Sequence, residues 1–139
     1  MDEKDEKILE ALLRNSRTPL TQIAASIGVS ETAVRKRIKK MEEEGIIKAY
    51  TALIDPFYLG YSGVALVGVD ATSEELLNVF EYIKSLPVTR YGALTSGDHM
   101  MMFEIWCRGP KELNKLLKNI EAMKGVTRVC PAVLLKRVE

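Results

Sequence analysis

The residues with the clearest chemical potential are five cations in the stretch 35–40, RKRIKK. Lysine and arginine side chains bind phosphate oxygens, and an arginine fork can also hydrogen-bond both acceptors of a guanine edge. Ser30, Glu31 and Thr32 precede this stretch and carry the hydroxyl and carboxylate groups that contact base edges. Because the net charge of the whole chain is only +1, the cations are a local feature and not a polybasic coat.

Two helices separated by a tight turn are predicted to position these residues. Thr18 is a capping hydroxyl, and Pro19 after it suits the first position of a helix. Gly28 ends this helix where a positive φ is needed, and Ser30 can cap the next helix, which Gly45 ends. A charged, solvated helix would explain the basic run alone, but it would not explain the preceding turn, caps and short helix. The pattern therefore indicates a helix-turn-helix.

The apolar stripe of the second helix determines which residues face outward. This stripe consists of Val34, Ile38 and Met41. At 100° per residue, directing it inward turns Lys36 and Lys39 outward. The first turns of such a helix meet base edges in the DNA major groove, and its later cations meet phosphates. The residues predicted to contact DNA are Ser30, Glu31, Thr32, Arg35 and Lys36 for base edges and Arg37, Lys39 and Lys40 for phosphates.

A helix before this pair and an extended segment after it complete the predicted N-terminal domain, residues 1–54. Asp2 can cap the first helix, with Asp5 three positions on. The apolar stripe of that helix is Ile8, Leu9, Leu12 and Leu13. The residues that suggest a short strand or hairpin arm after the helices, as in a winged helix, are Ile47, Tyr50, Ala52 and Ile54.

The periodicity of the sequence changes after a predicted linker at residues 55–61, which contains Asp55-Pro56 and Gly60. Strands are predicted over residues 63–69, 88–95, 99–107 and 126–135. Helices are predicted over 73–85, with Ser73 as the cap and Leu76, Leu77, Phe80 and Ile83 inward, and from Pro110 to before Gly125. The order βαββαβ is the ferredoxin-like arrangement, which predicts an α+β chain with a second domain over residues 62–139.

Both faces of the predicted sheet are largely apolar. In residues 99–107 the odd positions are Met101, Phe103, Ile105 and Cys107, and the even positions are Met100, Met102, Glu104 and Trp106. Two helices can cover only one face of such a sheet, so the other face needs a different cover. A second copy of the same sheet is the simplest cover, and we therefore expect a homodimer with sheet packed on sheet.

The remaining composition excludes several classes of protein. The N-terminus MDEKDEKILE is acidic where a signal peptide would be basic, and no apolar run approaches ~18 residues, so a cytoplasmic location without membrane contact is expected. Cys107 and Cys130 match no zinc motif and are expected as small buried hydrophobes. In the predicted fold two inter-strand spacings, roughly 10 Å, separate them, which exceeds disulfide reach. No metal or cofactor is expected.

An enzymatic function is a weak alternative. His99 is the only histidine and follows Asp98, which could form an acid–base couple. Adjacent strand residues point to opposite faces, however, and turn structure explains Gly97-Asp98 adequately. The sequence lacks a nucleophile–base pair, a phosphate loop and a metal cluster. We therefore expect no catalysis.

Three stretches of the chain together resemble the Lrp/AsnC family of transcription regulators, also called feast/famine regulators. Residues 1–61 are similar to the family's DNA-binding half and hinge, and ALTSGDHMMMFEIW and GVTRVCPAVLLKRVE are similar to its ligand-sensing half. The run GDHMMM and the VCPA ending are most like archaeal LrpA-type members. The resemblance implies dimers, often assembled into tetramers or octamers, that bind short palindromic sites in double-stranded DNA, often including their own promoter.

The resemblance also implies a small effector, usually an amino acid, bound near the turn between the second and third strands. The family pattern there is glycine, two variable residues and aspartate, but this chain has Gly97 followed by Met100 at the aspartate position. A methionine cannot neutralise an amino group. Asp98 substitutes for it, or another ligand binds, or none does. The effector-site candidates are Thr95, Gly97, Asp98, His99, Cys130, Pro131 and Ala132. The alternative function is a metabolite-sensing oligomer whose DNA binding is weak or secondary.

Overall fold

The computed structural model describes residues 1–136, in which the chain forms two compact units, Met1–Leu53 and a second unit from Ile54 onward. The helices of the first unit are α1 (Glu3–Arg14), α2 (Leu20–Ile27) and α3 (Glu31–Glu43). The second unit contains a 3-10 helix (Pro56–Leu59), β1 (Gly63–Ala71), α4 (Leu76–Ser85), β2 (Thr89–Leu94), β3 (Met101–Cys107), α5 (Pro110–Glu121) and β4 (Val126–Val133). Residues 137–139 of the predicted second domain lie outside the described range.

The three helices of the first unit pack around one apolar core. Its fully buried residues include Ile8 from α1, Ile23 from α2 and Val34 from α3. The predicted inward stripe of α3 is confirmed, because Ile38 and Met41 are also buried. Since burying each such side chain removes an apolar surface from water, this core sets the side of α3 that remains exposed.

The helix ends of this unit follow from local residues. Asp2 caps α1 in a capping box, accepting the Asp5 N–H at 2.9 Å while the Asp5 carboxylate accepts the Asp2 N–H at 3.0 Å. Gly28 ends α2 at φ 71°, as predicted, and Ser30 Oγ accepts the Ala33 N–H to cap α3.

Two local predictions for this unit are wrong. Thr18 does not cap α2, because its hydroxyl donates to the Asn15 carbonyl at 2.6 Å and closes the turn after α1. Pro19 is instead the cap residue, and its carbonyl accepts the Gln22 and Ile23 N–H groups. The short strand or hairpin arm suggested by Ile47, Tyr50, Ala52 and Ile54 is absent, because residues 46–54 form no strand in the described chain. A strand needs a hydrogen-bonded neighbour, and no described strand pairs with this segment.

The second unit is a four-stranded antiparallel sheet in the order β2-β3-β1-β4, with α4 and α5 packed on one face. The predicted βαββαβ order is confirmed. The core on the helix side contains the odd residues of β3 together with Val67 and Val69 of β1 and residues of both helices. Phe103 is 1% exposed, and its ring centroid lies 5.6 Å from that of Phe80. The odd-numbered residues of β3, which include Phe103, therefore face the helices.

The start of α4 and one of its inward residues differ from prediction. The helix begins at Leu76 with Glu75 as the cap residue, so Ser73 does not cap it. Leu77 is 63% exposed, whereas Val79 is buried at 1%. The buried stripe follows the i, i+3, i+4, i+7 spacing from Leu76, and Leu77 lies about 100° away from it around the helix.

Both cysteines are free. Cys107 lies opposite Gly63 on one side of β1, and Cys130 lies opposite Gly68 on the other side. The offset along β1 adds roughly 3.3 Å per residue to the two inter-strand spacings, so the separation is far beyond disulfide reach.

Candidate nucleic-acid interface

The outer face of α3 presents an exposed row of cations. Their side chains are largely exposed, with Arg35 at 66%, Lys39 at 76% and Lys40 at 73%, and Lys36 is also exposed. The opposite face of the helix is buried in the core. Because the helix is held by its apolar side, these charges remain available to an anion approaching from solvent.

The first turn of α3 combines a cap with an ion pair. Ser30 uses its hydroxyl to accept the Ala33 N–H at 3.1 Å, so its oxygen already has one partner. Arg35 Nη2 donates to Glu31 Oε1 at 2.7 Å, one helical turn away. Thr32 is exposed beside them. The exposed ion pair places the arginine fork beside Glu31 on the outer face of the helix, at a gain of only about 0.3–0.5 kcal/mol.

The lysines of α3 are only weakly paired. Lys39 Nζ lies 4.0 Å from Glu43 Oε1, and Lys40 Nζ lies 3.8 Å from Glu44 Oε1. Exposed ion pairs of this length contribute little to stability, so both lysines can turn to phosphate oxygens. Lys36 has no acidic partner among residues 1–136. Seven of the eight predicted contact residues thus lie together on the exposed side of α3.

Arg37 is placed differently from the other predicted phosphate ligands. Its Nη1 lies 2.9 and 2.8 Å from the two carboxylate oxygens of Asp2 and 2.8 Å from Asp5 Oδ1. The Asp5 backbone N–H and the Arg37 side chain lower the pKa of Asp2 to about 2, and Arg37 also lowers the pKa of Asp5. The sequence-based prediction missed this pairing. The signal in the sequence was the pair of acids Asp2 and Asp5, to which no cation had been assigned.

A second candidate site is the loop between β2 and β3, which contains four of the predicted effector residues. Gly97 has φ 96°, a conformation that favours glycine. The Thr95 hydroxyl donates to the His99 carbonyl at 2.7 Å and closes the loop. A Cβ at Gly68 of β1 would lie 2.5 Å from the His99 ring, so Gly68 leaves the space in which that ring packs.

Two residues outside the predicted set, Asp70 and Arg128, connect this loop to the sheet through hydrogen bonds. We refer to Asp70, Arg128 and His99 together as the loop latch. Asp70 of β1 accepts the Met100 N–H at 2.8 Å and Arg128 Nε of β4 at 2.9 Å, and His99 Nδ1 lies 3.2 Å from its Oδ2. Arg128 Nη2 donates to the Asp98 carbonyl at 2.7 Å. Burial raises the pKa of Asp70, but its hydrogen bonds outweigh burial and hold that pKa below its ordinary value.

The relative placement of Asp98 and His99 differs from expectation. His99 Nε2 lies 3.6 Å from Asp98 Oδ2, although adjacent strand residues would point to opposite faces. Residues 95–100 are not in a strand, because β3 begins at Met101, so the alternation does not apply to them. Asp98 is 87% exposed and His99 only 17%, so solvent reaches chiefly the carboxylate.

The three predicted effector residues of β4 are divided between the two faces of the sheet. Cys130 lies opposite Gly68 and Ala132 opposite Leu66, on the face away from the helices. Pro131 lies opposite Val67 on the helix face. Cys130 is thus on the same face as the His99 ring, whereas Pro131 is not.

Replacing Asp70 with asparagine is expected to loosen the loop latch. The neutral side chain loses the charge-assisted bond from Arg128, which we expect to lower the free energy of unfolding by about 1–2 kcal/mol at neutral pH. Because the pKa of Asp70 is depressed by folding, this contribution is present above its unfolded value and is lost as pH falls through the folded value. Denaturant unfolding at pH 7 and after acidification measures both effects.

The exposed Asp98 provides a control for that experiment, since Asp98→Asn should change the free energy of unfolding by less than about 0.5 kcal/mol. Equal losses for Asp70→Asn and Asp98→Asn would contradict the central place of Asp70 in the latch.

Comparison with known proteins gives one consistent result. Residues 1–48 match a family model described as winged helix-turn-helix DNA-binding. The chain is 48% identical over 140 residues to the HTH-type transcriptional regulator LrpA of Pyrococcus horikoshii, covering 100% of this chain and 99% of the relative. It is 32% identical to LrpA1 of Halobacterium salinarum, covering 97% and 96% of the two chains.

Solved structures agree with these relatives. Escherichia coli AsnC superposes with a TM-score of 0.76 at 27% identity, covering 99% of this chain and 93% of that one. The protein PH0061 superposes with a TM-score of 0.88 at 19% identity, which shows the shared fold. Among the described residues, no helix is both long and apolar enough to cross a membrane.

Proposed function

The chain belongs to the Lrp/AsnC family of transcriptional regulators, and we propose that this DNA-binding regulator reads its sites with the exposed face of α3. The observation that carries the proposal is the row of cations opposite the buried stripe of that helix. A helix of this kind fits the DNA major groove, whose base edges form a readable pattern of donors and acceptors. Such a role agrees with the expected cytoplasmic location.

The first turns of α3 are proposed to read bases. Arg35 can direct its fork to the O6 and N7 atoms of a guanine, and the Glu31 ion pair at 2.7 Å orients that fork before binding. Thr32 can contact a thymine methyl group, and the Ser30 hydroxyl lies at the same end of the helix. Lys36 is exposed beside them, while Lys39 and Lys40 lie nearer the C-terminal end for phosphate contacts.

Replacing Arg35 with alanine is expected to weaken binding to the cognate site by about 10- to 100-fold, because a bidentate guanine contact is lost. The cognate site is first obtained by selecting bound fragments from genomic DNA with the wild-type protein. Competition titration of both proteins on that site then gives the two affinities.

Lys7→Ala is the matched control, since Lys7 is an exposed cation of α1 paired with Glu3 and is not on α3. Unchanged affinity for Arg35→Ala on the selected site would remove this residue from base recognition. A failure of the wild-type protein to enrich any fragment at moderate salt would instead overturn the DNA-reading function itself.

The open face of the sheet, which turns away from α4 and α5, supports a homodimer as the working unit. On this face Leu66 of β1 is 46% exposed, Met102 of β3 is partly exposed and Ala132 of β4 is exposed, whereas Trp106 is already buried beside Tyr61. A second copy of the same face would bury this apolar surface by twofold symmetry. The dimer would present two copies of α3 to successive turns of a palindromic site. We also propose that dimers associate further into tetramers or octamers.

Regulation by a small effector is the second part of the proposal. The loop between β2 and β3 offers the Asp98 carboxylate, exposed at 87%, while the Asp70 carboxylate is already occupied by Arg128 and the Met100 N–H. Repeating the fragment selection with a panel of amino acids tests this point. An unchanged fragment set with every amino acid would favour a regulator without such an effector.

A metabolite sensor with weak DNA binding is the alternative function. It is supported by the loop latch, which joins β1, β4 and the effector loop. The exposed row of cations on α3 favours the DNA-reading function over it.

A further inference from the structure

We infer that Arg37 is a positioning residue of α3 and not a phosphate ligand, an inference that rests on the proposed DNA-reading function. Arg37 forms ion pairs that connect the middle of α3 to the first turn of α1. Its partners Asp2 and Asp5 lie 35 and 32 positions away in sequence, so the ion pairs act between two helices and not along one.

The first step is the geometry of the pair. Arg37 Nη1 contacts Asp5 Oδ1 at 2.8 Å and both carboxylate oxygens of Asp2 within 2.9 Å. Its side chain is 30% exposed, against 73% for Lys40 and 76% for Lys39. Around the helix Arg37 lies about 60° from Val34, at the edge of the buried stripe and not at its opposite side. It is therefore the most enclosed cation of α3.

The second step is the rigidity of the two acids. Asp2 and Asp5 each accept the other's backbone N–H in the capping box of α1, so their carboxylates are held before Arg37 reaches them. Asp5 is only 15% exposed. An arginine bound to two fixed carboxylates holds α3 at one rotation about its axis, which sets the direction in which Arg35 and Lys36 point.

The third step is charge. Two carboxylates share one guanidinium, so the charge of Arg37 is already neutralised and a phosphate would have to displace a carboxylate to reach it. A phosphate that took Arg37 would leave both acids without their partner. Counterion release on DNA binding should therefore come from Lys36, Lys39 and Lys40 but not from Arg37.

The experiment measures affinity of the full-length protein for a fragment selected by the wild type, at a series of salt concentrations. For Lys40→Ala the slope of log affinity against log salt should fall by about 0.9, the loss of one phosphate contact. For Arg37→Ala the slope should equal the wild-type slope, while affinity at each salt falls by about three- to tenfold because α3 is misaligned. Lys7→Ala serves as the control for loss of a remote cation.

Two results for Arg37→Ala would overturn the inference. A slope reduced as in Lys40→Ala would make Arg37 a phosphate ligand, and unchanged affinity with only a lower melting temperature would make it merely stabilising. If neither the wild type nor Lys40→Ala shows salt-dependent binding, the proposed function fails instead, which is a separate outcome.

Asp5→Asn keeps the test decisive if Arg37→Ala does not fold. This variant retains the arginine and removes a negative charge from the DNA-binding unit, which by charge alone would raise affinity for DNA. A positioning role predicts the opposite sign, a loss of about three- to tenfold, since the fixed anchor of Arg37 is weakened. A gain in affinity for Asp5→Asn would contradict the inference.

Discussion

Replacing Phe103 with aspartate is expected to prevent folding of the second unit. The ring is 1% exposed and packs against Phe80, and a Cβ at Gly92 would lie 3.0 Å from it, so the surroundings are filled on that side. Truncating a buried phenylalanine alone costs about 3–5 kcal/mol, and an unpaired buried carboxylate adds to that cost. The sum is comparable to the whole stability of a small domain.

Thermal unfolding followed by circular dichroism measures this effect, with loss of the sheet signal as the expected result. Leu77→Asp is the control, because Leu77 is 63% exposed on α4 and should change the free energy of unfolding by less than about 0.5 kcal/mol. A Phe103→Asp protein with a wild-type melting curve would contradict the packing of the odd β3 residues against the helices.

Replacing Leu66 with glutamate is expected to leave the fold intact and separate the proposed dimer. Leu66 is 46% exposed on the open face, at the centre of the sheet and opposite Glu104 of β3, so a carboxylate there faces water in the monomer. The new carboxylate would lie opposite Glu104 within the same sheet, which costs up to about 1 kcal/mol in the monomer and is too little to unfold the unit. In a sheet-on-sheet dimer the carboxylate would also be buried, and this desolvation costs more. Loss of the linked second site would lower operator affinity by about 10²- to 10⁴-fold.

Analytical ultracentrifugation gives the mass of the variant, and titration on the selected fragment gives its affinity. Tyr82→Glu is the control, since Tyr82 is half exposed on α4, on the other side of the sheet. A Leu66→Glu protein that stays dimeric and binds as tightly as the wild type would exclude the open face as the interface.

The ends of most helices could be predicted from sequence because caps act over three or four residues. Asp2, Gly28 and Ser30 have the predicted roles, each through a contact within its own turn. Thr18 shows the limit of this reasoning, since its hydroxyl donates to the Asn15 carbonyl and does not cap α2. Nearby residues therefore limit which hydrogen bonds a capping side chain can form, but they do not always determine which of those bonds forms.

The short strand or hairpin arm predicted from Ile47, Tyr50, Ala52 and Ile54 is absent for a different reason. Alternating apolar residues describe one face of a strand, but a strand also needs a neighbour that supplies its hydrogen bonds. Whether such a neighbour exists is decided by the arrangement of the rest of the chain, and no described strand lies there.

Sequence alone indicated the family, through stretches such as GDHMMM that resemble its members. It also determined the βαββαβ order and the exposed side of α3, because apolar periodicity and short-range caps depend on residues within a single element. The tertiary structure decided which parity of β3 enters the core, since both sets are largely apolar and only the position of α4 and α5 distinguishes them. It also decided the partners of Arg37 and Arg128, whose acids lie 30 to 58 positions away along the chain. Side-chain contacts over such separations depend on how elements pack, which no local pattern specifies.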